Sequence, residues 1–558
     1  MPAPRQPSSA ALAQTLVDEL ARQGVTDAVL SPGSRSAPLA VAFARHPGIT
    51  THVRIDERSG SFLALGITKV TGRPAAFLCT SGTATANAHP AVLEAHHAHL
   101  PLVVVTADRP PELRGIGANQ TTDQVRLYGQ AVRLFAELDS AGAEPDTHWR
   151  TVCGRAIAAS EDGPVHLNVV MREPLGHAES ALEPSRRTNR IGRQVAVAGT
   201  VPGHPHGVVV VGDNADPAAA LRFAEAAGWP VLAEPQSGAR RGPNAITHYA
   251  DLLRVKAFRD AAAPDVVVSV GRPALSRAVQ AYLASAPEHV VVDPHGQWAD
   301  PTSTATSVIQ ALGVPTSENH DTTWLDWWHR CDARVHAAYE AELDSPDLSE
   351  IAVAAHLLAA APPGALVFAG ASMPIRYLDR VLTPRSDLRV LANRGLSGID
   401  GTVSSAIGAA LAHQRAGGGR AFALLGDLTL LHDQNGLLAG AGEQLPDVVI
   451  VVIDNDGGGI FATLGHTADP ELVALFGTPH GITMTGVAAA AGWAHEEVRD
   501  ADELRKAVAE PGPRIVVVRS RRDTNAAHLA ELDRALASVV DEAVATDPLS
   551  PDRPGGPP

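Results

Sequence analysis

Two turns in the last third of the chain carry residues that could hold a hard cation. One is Gly426-Asp427-Leu428, which follows the apolar run Ala421–Leu425. The other is Asp454-Asn455-Asp456-Gly457-Gly458-Gly459, which follows Val448–Ile453. The Asp427 carboxylate, the Asn455 amide oxygen and the Gly457 carbonyl are hard oxygen ligands. They suit Mg²⁺ that keeps its other positions for a diphosphate. The glycines let the backbone approach such a ligand closely. The interval between Asp427 and Asn455 holds one helix and a return strand, so both residues can stand at the ends of neighbouring strands. Asp, Asn and Gly are also ordinary turn formers, and that reading of either turn alone stays open. The strand context of the pair favours the metal.

The first third offers a different piece. HVRIDERSG reads as a strand that runs into a helix beginning at Glu57. A glutamate at a helix start is favoured by the helix dipole alone. The next turn, Thr80-Ser81-Gly82, is rich in small hydroxyl residues. It would contact a polar heterocycle or simply cap the helix that follows.

These turns need a scaffold that presents them together. One theme repeats along the chain: a short β-branched run, a Gly/Ser/Thr/Asp turn, then an Ala/Leu-rich amphipathic stretch. Continuous apolar strands alternating with helices imply parallel sheets covered on both faces, hence an α/β fold. In such sheets ligands bind at the turns beyond the C-terminal strand ends. The theme recurs in three blocks, each expected to be a mostly parallel sheet flanked by helices. The expected limits are 1–180 for the first domain, 181–205 for a linker, 206–344 for a middle domain and 345–548 for the third. Residues 549–558 read as a disordered tail. A helix is expected over Thr322–Leu343.

Composition narrows the function. A chain of 558 residues with 45% hydrophobic and 19% charged residues can bury several cores. Its formal net charge of −16 repels a phosphate backbone and argues against nucleic-acid binding. Cys79, Cys153 and Cys331 are far apart, which excludes a disulfide framework or a Cys-rich zinc site. The start MPAPRQPSSA lacks the pattern of a signal peptide, and no run approaches the ~20 residues that span a bilayer. A cytoplasmic protein with no integral membrane segment is expected. His96, His97 and His99 lack the H-E-x-x-H spacing of a zinc hydrolase and read as solvated or interface histidines. The Gly207–Val211 run followed by GDNADP looks like the entry of a dinucleotide fold, but no G-x-G-x-x-G motif follows.

Glu57 in the first block and the GD…N…GG pattern in the third resemble the layout of thiamine-diphosphate enzymes. That resemblance implies a first domain holding the aminopyrimidine ring and a third domain holding the metal-bound diphosphate. It implies metal ligands at Asp427, Asn455 and Gly457, with Mg²⁺ or Mn²⁺ as the ion. Glu57 becomes the catalytic carboxylate, bonded to the pyrimidine so that the ring can take up the thiazolium proton. Further cofactor contacts are implied at Thr80, Ser81, Gly82, Gly426, Leu428, Gly458, Ile460 and Phe461. Ile399 matches the wedge that keeps the cofactor bent.

Longer motifs narrow the resemblance. They are SPGSRSAPLA (Ser31–Ala40), TSGTATAN (Thr80–Asn87), TADRPPELRGIGANQ (Thr106–Gln120), NRGLSGIDG (Asn393–Gly401), GDLTLLHD (Gly426–Asp433) and DNDGGGIF (Asp454–Phe461). Together they resemble the menaquinone-pathway carboligases of the family, whose substrates are 2-oxoglutarate and isochorismate. Both substrates are anions that need fixed cations, and Arg supplies permanently charged forks. The matching positions are Arg35, Arg109, Arg277, Arg376 and Arg394, with Ser34, Asn119, Gln120 and Ser372 as neutral donors. Phe461 and Leu464 are implied to line the substrate pocket. The family pattern has a Lys-Arg pair where this chain has Ser276-Arg277. The resemblance further implies a homodimer or homotetramer with active sites at the subunit interface. An acetolactate-synthase-type carboligase is the alternative that shares the fold.

Overall fold

The structure is a computed structural model. It describes residues 8–141, 147–176, 196–315, 321–343, 348–440, 442–463 and 470–549. Leu464, residues 181–195 of the expected linker and residues 550–558 of the expected tail lie outside the described residues.

Six strands build the first sheet: β1 (Asp27–Leu30), β2 (Thr50–Val53), β3 (Ala75–Cys79), β4 (Leu102–Asp108), β5 (Leu134–Asp139) and β6 (Val165–Val170). Their order is β2-β1-β3-β4-β6-β5, with every pairing parallel. β3, β4 and β6 are buried along their whole length; β3 and the first half of β4 accordingly read as unbroken apolar runs, whereas β6 carries the buried His166 and Asn168.

The stretch expected to link the blocks carries β7 (Ala198–Gly199). The middle sheet holds β8 (Gly207–Val211), β9 (Val231–Ala233), β10 (Val266–Val270), β11 (Glu288–Val292) and β12 (Ser307–Ile309), in the order β12-β11-β10-β8-β9. β13 (Ala311–Leu312) pairs with β7 outside it. The expected long helix is present as Thr323–Leu343.

The third sheet holds β14 (Leu366–Ala369), β15 (Arg389–Ala392), β16 (Ala421–Gly426), β17 (Val448–Asp454), β18 (Ala494–Val498) and β19 (Arg514–Arg519). Its order, β15-β14-β16-β17-β19-β18, repeats the connectivity of the first sheet strand for strand. The two outer domains therefore share one fold.

A shared core joins the outer domains: Leu63 and Ile67 from the first pack with Val403, Ile407 and Ala410 from the third. The helices Glu57–Thr71 and Thr402–Arg415 meet backbone to backbone. A Cβ on Gly66 would lie 2.1 Å from the Ser405 carbonyl oxygen, and one on Gly408 would lie 2.2 Å from that of Leu63. Among the described residues no helix is long and apolar enough to cross a membrane.

A buried polar network also ties these domains. His52 of β2 lies 3.4 Å from Asp27 and 3.2 Å from Glu443, while Glu443 also takes Arg54 at 2.6 Å and Asp27 takes Arg415 at 2.6 Å. Burial pushes the His52 imidazole down, but its hydrogen bonds to Asp27 and Glu443 outweigh burial and the net shift is upward. Burial likewise raises the Asp27 carboxyl, yet His52 and Arg415 bring it down to about 2.

Two outcomes follow from this packing. Gly66→Ala forces the two helices apart and should cost about 1–3 kcal/mol, read as a lower thermal midpoint with the same fold by circular dichroism. The His52 contribution is complete below the ordinary imidazole value of 6.5 and is lost as pH rises through the raised one. Denaturation midpoints of the unaltered protein should therefore fall above that value, and His52→Gln should flatten this slope. Equal slopes in the two proteins would rule out the network as its source.

Candidate active site

β16 and β17 are neighbours in the third sheet, with Gly426 opposite Ile453. Asp427 and Asn455 therefore stand side by side just beyond two adjacent strand ends. Asp427 is buried, and its carboxylate accepts the backbone N–H of Leu428 at 2.6 Å, of Gly457 at 2.8 Å and of Asn455 at 3.2 Å. Burial raises this carboxyl above its ordinary range, against the pull of the Gly457 and Leu428 amides. A divalent cation would reverse that shift.

Asn455 is oriented by a residue with no local sequence signal. Its Nδ2 donates to Glu350 at 3.0 Å, and Glu350 also accepts from Ser520 at 2.7 Å and from Tyr377 at 2.7 Å. An ionised carboxylate only accepts, so the amide nitrogen must face Glu350 and the amide oxygen is left to the other side. That Oδ1 is buried and has no hydrogen-bond partner. Gly457 has φ +129°, and a Cβ there would lie 1.8 Å from the Gly477 carbonyl oxygen. A buried carboxylate, an orphaned amide oxygen and a backbone that excludes side chains fit a hard cation.

His480 is a second residue without a sequence signal. Its Nδ1 accepts the Ile482 N–H at 3.0 Å, so Nε2 carries the proton and faces Asp427 at 3.3 Å. One carboxylate oxygen each of Asp427 and Asp454 and a ring nitrogen of His480 all lie within 4.8 Å of one another.

Asp427, Asn455, Gly457 and Glu350 border a cavity of about 510 Å³. Gly426, Leu428, Gly458, Ile399, Ile460 and Phe461 line it as expected, and so do Ser372, Arg376 and Arg394. Arg277 lines an adjoining cavity of about 650 Å³ that shares Arg376 and Ile460 with the first. Burial lowers the Arg376 guanidinium from its ordinary value, and the neighbouring Arg394 and Arg277 lower it further. Arg394 is only 7% exposed and makes no salt bridge among the described residues. Arg376 and Arg394 thus share one cavity wall, and the exposed Arg277 faces Arg376 from the adjoining cavity. Ser276, where the resembled pattern has Lys, caps the helix that Arg277 begins by accepting from Val279 at 3.5 Å.

The loop of Arg394 is held by all three domains. Glu94 of the first domain, 4% exposed, accepts the N–H groups of Gly395 and Leu396 at 2.7 Å each. Arg272 of the middle domain donates to the carbonyls of Arg394 at 2.7 Å and His97 at 3.0 Å.

The first domain gathers its own group at the equivalent strand ends. Glu57 starts the helix after β2, half-buried, and its charge helps keep the buried Cys79 thiol protonated, second to burial itself. Thr80, Ser81 and Gly82 follow β3; Ser81 donates to the Gln120 carbonyl at 3.0 Å and also bonds Arg109. Arg109 follows β4, buried, and its guanidinium is lowered first by burial and then by Arg35. Arg35 donates to the Met171 carbonyl at 3.0 Å. Ser34, Asn119 and Gln120 are exposed on the same loops. Within one chain, Glu57, Arg35 and Arg109 do not line the Asp427 cavity.

The middle domain closes the place where dinucleotide folds bind their ligand. Its switch point lies between β8 and β10, where such folds bind ligands. Here Asp213 and Arg272 form a bridge across it, and a Cβ on Gly212 would lie 2.1 Å from the Pro273 nitrogen. The chain's own backbone fills the gap. His96, His97 and His99 do not converge: His96 faces the Ala131 carbonyl at 3.1 Å, whereas His99 stacks on His295 and shares Asp162 with it and with Arg133.

Comparison with known proteins decides the family. Residues 10–127 match the N-terminal TPP binding domain of thiamine pyrophosphate enzymes, 200–369 the middle domain and 373–518 the C-terminal TPP binding domain. A 2-succinyl-5-enolpyruvyl-6-hydroxy-3-cyclohexene-1-carboxylate synthase from Thermobifida fusca (strain YX) is 51% identical over 95% of this chain and 99% of its own length. The chain belongs to this family of thiamine-diphosphate enzymes. Synthases of the same name from Saccharopolyspora erythraea (44% identical, 92% of this chain, 96% of that protein) and Geobacillus kaustophilus (38%, 92%, 95%) are further relatives. The fold matches that of a putative thiamin diphosphate-dependent enzyme from Mycobacterium smegmatis at a TM-score of 0.67, with 19% identity over 91% of this chain and 99% of that one. It also matches benzoylformate decarboxylase from Polynucleobacter necessarius at 0.67, with 16% identity over 92% and 98%.

In this family the two outer domains bind thiamine diphosphate, and the Glu350–Asn455 hydrogen bond gains a testable role. Glu350→Gln lets the Asn455 amide turn over. Calorimetric binding of thiamine diphosphate in the presence of Mg²⁺ should weaken by about 10- to 100-fold. Unchanged affinity would contradict the assigned orientation.

Proposed function

We propose that the protein decarboxylates 2-oxoglutarate and adds the remaining four-carbon unit to isochorismate in a 1,4-sense. The products would be 2-succinyl-5-enolpyruvyl-6-hydroxy-3-cyclohexene-1-carboxylate and CO₂, a step of menaquinone biosynthesis in the cytoplasm. Arg394 carries this reading: it is a buried cation that makes no salt bridge among the described residues, and it lines the same cavity as Asp427 and Asn455. A buried charge is costly unless it is compensated; Glu234 acts on Arg394 from the middle domain, and a substrate carboxylate would add a direct partner.

When bound, thiamine diphosphate supplies the carbon nucleophile and the electron sink for loss of CO₂. Asp427, Asn455 and the Gly457 carbonyl would hold its diphosphate through Mg²⁺, or Mn²⁺ in its place. Glu57 would bond the aminopyrimidine and hold the proton that activates it. Ile399 would support the bent form, with Gly426, Leu428, Gly458, Ile460 and Phe461 around the ring and diphosphate and Thr80, Ser81 and Gly82 at the pyrimidine. The arginines position two anions against one another, which is an orientation role. Arg277, Arg376 and Arg394, with Ser372, serve from one half-site; Arg35 and Arg109, with Ser34, Asn119 and Gln120, serve from the other. Because one chain does not bring these groups into one cavity, they would meet across a subunit contact in a homodimer or homotetramer. An acetolactate-synthase type of carboligase needs fewer cations, since pyruvate has one carboxylate.

Purified protein should release CO₂ and form the adduct only with 2-oxoglutarate, isochorismate, thiamine diphosphate and Mg²⁺ all present. Glu57→Gln should lower kcat about 100-fold or more. Turnover with pyruvate in place of 2-oxoglutarate, or full activity of Glu57→Gln, would refute the assignment.

A further inference from the structure

Arg277 stands on a middle-domain loop that hangs on one buried side chain. Glu234 follows β9 and is 5% exposed. Its Oε1 accepts the backbone N–H of Ala274 at 2.7 Å and of Leu275 at 2.6 Å, and its Oε2 accepts from Gln236 at 2.7 Å. Two successive amides on one carboxylate oxygen fix the direction in which the chain leaves Pro273. Ser276 then caps the helix and Arg277 opens it. The same carboxylate faces the cations of the third domain: Arg394 and Arg376 both act on it, with Asp379 the acid beyond them. Glu234 thus touches the loop of one cation and lies within the field of the other two.

We infer that Glu234 is a positioning residue for substrate binding. It holds the segment 271–277 so that Arg277 converges with Arg376 and Arg394 on one carboxylate of the substrate. This inference rests on the substrate reading above, in which those arginines grip 2-oxoglutarate or isochorismate. It gives the middle domain a part in the reaction, although that domain carries no cofactor ligand in the proposed scheme.

The test is steady-state kinetics of the holoenzyme with each substrate varied in turn. Glu234→Gln keeps the acceptor for Ala274 and Leu275 and removes the charge, so KM should stay within about 3-fold of the unaltered enzyme. Glu234→Ala deletes the anchor and should raise KM for one dicarboxylate at least 10-fold, with kcat within about 3-fold. Glu234→Asp withdraws the carboxylate by one methylene and should raise the same KM; it decides the matter if the alanine variant does not fold. Arg277→Ala should raise that KM too, and the double variant Glu234→Ala/Arg277→Ala should be no worse than Arg277→Ala alone. Unchanged KM in Glu234→Asp or Arg277→Ala overturns the inference, as do multiplying effects in the double variant or a loss confined to kcat. An unaltered enzyme that turns over neither substrate overturns the substrate reading, and this inference with it.

Discussion

The contact between the helices Glu57–Thr71 and Thr402–Arg415 is the constraint on which the rest depends. Gly66 and Gly408 let the two backbones touch, and neither position has room for even one carbon more. Close packing of this kind admits discrete arrangements rather than sliding ones. The outer domains are therefore locked, and each presents its strand ends in a fixed direction. Everything at those ends inherits its position from this contact.

The repeated connectivity of the outer sheets explains how two different half-sites arise from one plan. After the third strand of each sheet come Thr80-Ser81 in one domain and Asp427 in the other. After the fourth come Arg109 and Asn455. After the first come Ser34-Arg35 and Ser372. The same topological places have been filled with hydroxyls and cations on one side, and with a carboxylate, an amide and a hydroxyl on the other.

Much of this was legible in the sequence because strands buried on both faces announce themselves as apolar runs. The neighbouring positions of Asp427 and Asn455 followed from that alternation alone. The dinucleotide-like start at Gly207 was equally legible as a strand and turn, yet only the fold shows Arg272 closing the crevice beyond it. Glu350, His480, Glu94 and Glu234 left no trace. Their partners lie far along the chain, and a glutamate that opens a helix or ends a short strand looks like any other. Arg277 was singled out by the resemblance, but the way its loop is held could not be read from the residues around it, since the anchor lies just past β9.

The peptide segment that bears Arg394 is gripped on its N–H side by Glu94 and on its carbonyl side by Arg272, residues from two other domains. Such a three-way junction acts as a strain gauge. Any loosening among the domains must reach this loop, so a change remote from the cavity can displace the Arg394 guanidinium while the molecule stays folded. Tolerance to substitution should accordingly be poorest along domain seams, not in the centres of the sheets.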